Sequence, residues 1–168
     1  MGELYAYGSE VTSVFQLIGN LEDDITKSIA WALCNCPVFL ESIIKEILEI
    51  KIDPSKVRIK YQDSEKEKGR TDLELTDDES FYIIIEAKRG WILPGKEQLT
   101  MYSYRRNLVQ SSVNHKAIVS MSECSDTYAN SYLFRNQMGY QSNIYPGKGY
   151  MSWQKCLWEH RDLHRRIC

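Results

Sequence analysis

The chain has 168 residues, 26% of them charged and 43% hydrophobic, with a formal net charge of −2. That size and balance fit one folded domain, residues 1–168, and exclude a disordered or low-complexity chain. No apolar run approaches the roughly 20 residues that cross a bilayer as a helix. The near-neutral total argues against a nucleic-acid binder, but the charge is unevenly spread. Residues 1–87 hold 9 basic and 18 acidic residues and residues 88–168 hold 12 and 5. An acidic half can supply metal ligands and a basic half phosphate contacts, unless the halves interleave in space and the field averages out.

The first residues read as a loose lead-in. Met1-Gly2-Glu3-Leu4-Tyr5 lacks the basic and apolar regions of a signal peptide, and Ala6 argues against myristoylation. Five scattered cysteines, Cys34, Cys36, Cys124, Cys156 and Cys168, read as reduced thiols of a cytoplasmic protein. Cys34-x-Cys36 is too tight for an ordinary zinc pair, and no second pair follows. A helical pattern runs from Glu10 through Val11, Val14, Phe15 and Ile18 until Gly19-Asn20 interrupts it. Asn20 suits the cap of a new helix, with Asp23 three residues on. Ile25, Ile29, Ala32 and Leu33 make its core stripe. Glu22 lies on or beside that stripe, where a carboxylate needs a partner; the alternative is an exposed first-turn acid that favours the helix dipole. Asp24 lies on another face. Cys36-Pro37 ends this helix and opens the next, whose apolar face is Phe39, Leu40, Ile43, Ile44, Ile47 and Leu48. After the Asp53-Pro54 turn, residues 56–61 alternate as a first strand, and residues 62–69 form a solvated hairpin loop.

The stretch from Gly69 to Tyr102 carries the chemistry. Arg70-Thr71-Asp72-Leu73-Glu74-Leu75 alternates with the period of a half-buried strand. Phe81-Tyr82-Ile83-Ile84-Ile85 suits a buried central strand and runs into Glu86-Ala87-Lys88. Asp77-Asp78-Glu79-Ser80 is turn chemistry, so the two form a hairpin. Side chains alternate across a strand, which puts Glu86 and Lys88 on one face near a sheet end, within reach of Asp72. Two converging carboxylates repel unless a cation sits between them. A hard divalent ion with oxygen ligands, Mg²⁺ with Mn²⁺ as its substitute, is the natural resident, and Lys88 beside it can hold or polarise a water.

These residues resemble the PD-(D/E)XK nuclease superfamily: Asp72, then Glu86-Ala87-Lys88 ending an apolar strand. Gly69-x-x-Asp72 and Gln98-x-x-x-Tyr102 are similar to elements of its RecB-type and lambda-exonuclease-like branch. The resemblance covers residues 15–121 in the expected order; Thr71 stands where many members have Pro. It implies an α/β restriction-endonuclease-like core, with a mixed central sheet of antiparallel hairpin strands and flanking helices. It further implies a Mg²⁺-dependent deoxyribonuclease, with nucleic acid, DNA in the first instance, as partner. Asp72, Glu86 and the Ala87 carbonyl would bind metal, and Lys88 would act on the attacking water. Glu22 would reach the site from the first helix, and Gln98 and Tyr102 would orient substrate or buttress the site. Some nucleases of that branch hold an iron–sulfur cluster, but the cysteine spacing here does not match.

Trp91 reads as a ring packed on the sheet, with base stacking the rarer alternative. Residues 96–110 read as one helix carrying Gln98 and Tyr102 on one face, extended by Arg105 and Arg106 as phosphate contacts. Residues 116–121 read as a strand parallel to its neighbour after the helical crossover. A helix over 126–138, a loop over 139–149 with Lys148, and a last helix capped by Ser152 complete the chain. His160 and His164, four apart, read as a surface pair rather than metal ligands. Two rivals stand beside the nuclease: a catalytically silent module that binds nucleic acid or protein, and a structural domain whose Glu86–Lys88 pair is a salt bridge. Assembly stays open, a homodimer included.

Overall fold

The computed structural model describes residues 5–6, 9–10, 19, 21–66, 69–125, 127–129, 131–132 and 150–152. Two short strands, β1 (Tyr5–Ala6) and β2 (Ser9–Glu10), pair antiparallel. Helix α1 (Glu22–Asn35) follows. Its cap lies one residue later than the sequence suggests: Leu21 is the N-cap, and Asp24 Oδ2 accepts from the Leu21 N–H at 3.3 Å. Glu22, Asp23 and Asp24 then fill the first turn, where the helix dipole favours acids. The residue before a proline avoids helical dihedrals, and Cys36 sits extended at φ −125°, ψ 91°. The chain therefore bends by 107° into α2 (Pro37–Leu48). No helix among the described residues is long and apolar enough to cross a membrane.

A five-stranded mixed sheet is built from β3 (Arg58–Tyr61), β6 (Leu73–Thr76), β7 (Phe81–Ala87), β8 (His115–Ser122) and β9 (Tyr150–Ser152), side by side in that order. The first three pair antiparallel, as the hairpin reading requires, and β7–β8 and β8–β9 pair parallel. A small ladder, β4 (Ser64–Glu65) with β5 (Gly69–Arg70), organises the expected loop between β3 and β6. The hairpin turn is held by Asp77, whose Oδ1 accepts from the backbone of Glu79, Ser80 and Phe81. Every residue of β7 is buried, because strands flank it on both edges and helices cover both faces.

Strand alternation sorts the two faces. Leu73, Leu75, Phe81, Ile83, Ile85, Ala117 and Val119 point to α1 and α2 and form the larger core. Tyr82, Ile84 and Ile118 point the other way, to helices α3 (Lys96–Ser103) and α4 (Arg106–Gln110), and pack with Tyr102, Leu108 and Val113. The sequence suggests one helix over 96–110; the structure has two. The break falls at Arg105, which is extended (ψ 134°) and fully buried. Its guanidinium meets Glu74 Oε1 at 2.8 Å, Asp63 Oδ2 at 3.2 Å and the Gly69 carbonyl at 2.8 Å. Holding that charge inside requires leaving the helical path, since buried charges persist only when paired. Glu74, itself buried, also accepts from Thr71 Oγ1 at 2.9 Å and from the Tyr82 hydroxyl.

Ser152 lies in β9 rather than capping a helix. Of the stretch 126–138, residues 127–129 and 131–132 are helical. Residues 11–18, Arg135, Lys148, His160 and His164 lie outside the described residues. Removing one partner of a buried ion pair costs about 3–5 kcal/mol, whereas replacing both by apolar groups is close to neutral. Arg105→Met is therefore expected to lower the urea midpoint strongly, and adding Glu74→Met to recover part of the loss, because Asp63, the Gly69 carbonyl and the Tyr82 hydroxyl still lack their partners.

Candidate active site

The site forms at one end of the sheet, where β6 begins and β7 ends. Leu73 pairs with Ile85 in the antiparallel register, so Asp72 arrives opposite Glu86 on the same face. The backbone fixes it there: the Ala87 N–H donates to Asp72 Oδ2 at 2.8 Å. The apolar run of β7 carries Glu86 inside to 2% exposure. A carboxylate at that depth needs several donors, and three supply it. Lys88 Nζ lies 2.6 Å and Gln98 Nε2 2.5 Å from Oε1, and the Tyr102 hydroxyl lies 2.8 Å from Oε2.

Gln98 and Tyr102 stand one turn apart on α3 and bond to each other at 2.9 Å. The Tyr102 hydroxyl also lies 2.8 Å from the Arg70 carbonyl, tying the helix to the chain just before Asp72. Glu22 comes from the first turn of α1 on the other side of the sheet. Its Oε1 is 3.4 Å from Lys88 Nζ, and its Oε2 accepts from the Arg89 N–H at 2.9 Å. Six residues expected at the site thus meet: Glu22, Asp72, Glu86, Lys88, Gln98 and Tyr102.

Burial and the neighbouring Glu86 charge push the Asp72 carboxyl up to about 6, against a smaller lowering by the Ala87 N–H and Lys88. Burial pulls the Lys88 ammonium down, but its hydrogen bond with Glu86 and the charges of Glu86, Glu22 and Asp72 outweigh this and leave it raised. Lys88 is therefore a fixed cation and donor at neutral pH rather than a base. Burial and the Glu86 charge also raise Tyr102, keeping it a neutral phenol. Asp72 Oδ1 accepts no hydrogen bond from the described residues, whereas both Glu86 oxygens are engaged. Among the described residues no three His, Cys, Asp or Glu side chains form a ready-made metal cage. The carboxylates of Asp72 and Glu86 are the oxygen donors that the cluster offers a hard cation. Mg²⁺ uses such open sets, keeping several waters.

Two expected phosphate contacts do not gather here. Arg105 is sealed in the interior by Glu74 and Asp63, so it cannot meet a substrate. Arg106 is exposed at the start of α4, with its backbone N–H on the Glu65 carboxylate at 3.0 and 3.1 Å. Two other arginines lie next to the cluster in the chain. Arg70 and Arg89 are exposed, and neither guanidinium is in an ion pair with the described residues. Their signal was proximity: Arg70 stands two residues before Asp72, and Arg89 one after Lys88. Trp91 is also not where the sequence puts it. Its ring is 59% exposed and lies 5.3 Å from that of Tyr128, instead of packing on the sheet.

A carboxyl whose pKa is raised in the folded chain binds extra protons there, so stability falls as pH rises from about 4, its unfolded value, through about 6. Asp72→Asn keeps an acceptor for the Ala87 N–H and removes the charge. It is expected to raise the melting temperature by a few degrees at pH 7 and by almost nothing at pH 4. A melting temperature at pH 7 that is unchanged or lower would show that the folded chain tolerates the Asp72 charge.

Set against protein-family models, curated proteins and solved structures, the chain matches none of them, and the functional reading rests on the chemistry of the site.

Proposed function

We propose that this protein is a metal-dependent nuclease that hydrolyses DNA phosphodiester bonds, with a restriction-endonuclease-like core of the PD-(D/E)XK kind. One observation supports the reading above the rest. Asp72, with one carboxylate oxygen that accepts no hydrogen bond from the described residues and a pKa pushed up to about 6, stands beside Glu86 and Lys88 at a sheet end. A structural salt bridge needs one carboxylate for Lys88; this cluster gathers Glu86, Glu22 and Asp72 around it, and Asp72 is held against repulsion. Such a surplus of negative charge suits a divalent cation.

Asp72, Glu86 and the Ala87 carbonyl are the residues that would hold Mg²⁺ or Mn²⁺. Bound there, the ion would supply a lowered water pKa and charge stabilisation on the phosphate. Lys88, protonated and 21% exposed, offers hydrogen bonds to the attacking water or a phosphate oxygen. Gln98 and Tyr102 are positioning residues, since both act by orienting the Glu86 carboxylate. Glu22 steadies Lys88 and the backbone of Arg89. Arg70 and Arg89, exposed and adjoining the cluster in the chain, take the phosphate contacts expected of Arg105 and Arg106.

A second reading, the silent binding module, has one observation in its favour: both Glu86 oxygens are already satisfied by protein donors. It requires nucleic-acid binding that ignores divalent ions, and no cleavage with any of them. For the nuclease, purified protein should cut DNA with Mg²⁺ or Mn²⁺ and stop in EDTA. Lys88→Ala and Glu86→Ala should each lose about 10²–10³-fold or more in rate. Asp72→Asn is the cleanest variant, because cutting should vanish while the fold becomes more stable at neutral pH. Cutting that persists in Asp72→Asn and Lys88→Ala would overturn the assignment of these residues.

A further inference from the structure

The geometry points to an aromatic ledge, Trp91 with Tyr128, that receives the unpaired bases of a single-stranded nucleic acid next to the candidate active site. The inference rests on the nuclease reading for its substrate class and names the part of the substrate that this site engages.

The ledge is built where two parallel strands end. β7 runs out through Lys88, and β8, its parallel neighbour, ends at Ser122. The segments that follow are pinned together: the Gly90 N–H donates to Glu123 Oε2 at 2.9 Å, and the Glu123 N–H to the Gly90 carbonyl at 3.1 Å. Gly90 adopts φ +66°, a turn a side chain would strain. That turn leads Trp91 outward three residues from Lys88, while Leu93 returns inside with Cys124 and Ala129. The exposed ring is thus carried on a backbone anchored on both sides.

Three rings run in a row. Trp91 lies 5.3 Å from Tyr128 with their planes tilted by 54°, and Tyr128 lies 6.3 Å from Tyr132 at 20°, close to parallel. Trp91 is 59% and Tyr128 38% exposed, and Ile92 beside them is 63% exposed. Rings already supported by rings cost little more entropy to order against a ligand than rings swinging free. Neighbouring chemistry selects the occupant. Arg89, exposed and with no ion pair among the described residues, stands in the chain between Lys88 and Trp91. A cation next to flat apolar faces suits a chain that alternates phosphate and base. Bases in a duplex are stacked on each other and cannot lie on a side chain, so the strand reaching the ledge is unpaired: a single strand, or the opened end of a duplex.

The test uses the full chain in EDTA, which separates binding from cutting, with a fluorescent single-stranded oligonucleotide and its blunt duplex. Wild-type protein is expected to bind the single strand more tightly. Trp91→Ala should weaken that binding by roughly five-fold to a hundred-fold with little change for the duplex, and Trp91→Phe should keep most of it. Equal affinity of wild type and Trp91→Ala for the single strand, or equal losses on both substrates, overturns the ledge. So does a Trp91-dependent dimer in sedimentation with no effect on nucleic acid. The two readings fail separately. Duplex cutting with Mg²⁺ and no Trp91 effect sinks only the ledge, whereas Trp91-dependent single-strand binding without cutting under any ion sinks only the nuclease.

Discussion

The structure turns on a carboxylate carried indoors. Glu86 continues the apolar run of the central strand and is only 2% exposed. Its charge must be met where it lies, and the donors that meet it come from far apart in the chain. Lys88 comes from the end of its own strand, and Gln98 and Tyr102 from a helix across the sheet face. Each donor draws in a further contact: Tyr102 reaches the Arg70 carbonyl and Lys88 reaches Glu22. Satisfying one buried charge thus ties the first helix, the hairpin and the crossover helix to one point.

A second buried carboxylate on the same face shows how differently such a charge can be handled. Glu74 is 1% exposed and meets Arg105, which is wholly buried, with Thr71 and Tyr82 completing its hydrogen bonds. Arg105 and Glu74 are both shut off from solvent, with Asp63 as a second carboxylate on the guanidinium, so the group specifies packing. Around Glu86 the cation is a partly exposed lysine, and a second acid, Asp72, stands beside it with one oxygen unbonded among the described residues. The first arrangement is closed sterically. The second keeps a repulsion that a ligand can relieve, and unrelieved electrostatic tension at an accessible point is what function uses.

The parallel strands add a direction. Open sheets place ligands beyond the carboxyl ends of their parallel strands. Here the end of β7 carries Lys88, Arg89 and Trp91, and the end of β8 carries Glu123, with Tyr128 a few residues beyond. Charged and aromatic groups thus adjoin because two neighbouring strands stop at the same level.

Patterning in the sequence determined which residues share a face. The period-two alternation around Asp72 and Glu86, the Asp77 turn and the four-residue spacing of Gln98 and Tyr102 are local; they foretold the hairpin and the shared faces, while Glu22, Gln98 and Tyr102 were placed at the cluster by the family resemblance. The helix stripe from Phe39 to Leu48 was equally legible, because burial of a 3.6-residue period leaves no alternative face. What tertiary structure alone decided concerns charges that sequence cannot pair. Arg105 looked like a phosphate ligand at the end of a helix. Its true partners, Asp63 and Glu74, lie 42 and 31 positions away, and meeting them broke the helix. Trp91 looked like core, and became surface because Gly90 and Glu123 turn it outward. Local periodicity fixes where a side chain points, but whether a charge or a ring ends inside depends on partners distant along the chain.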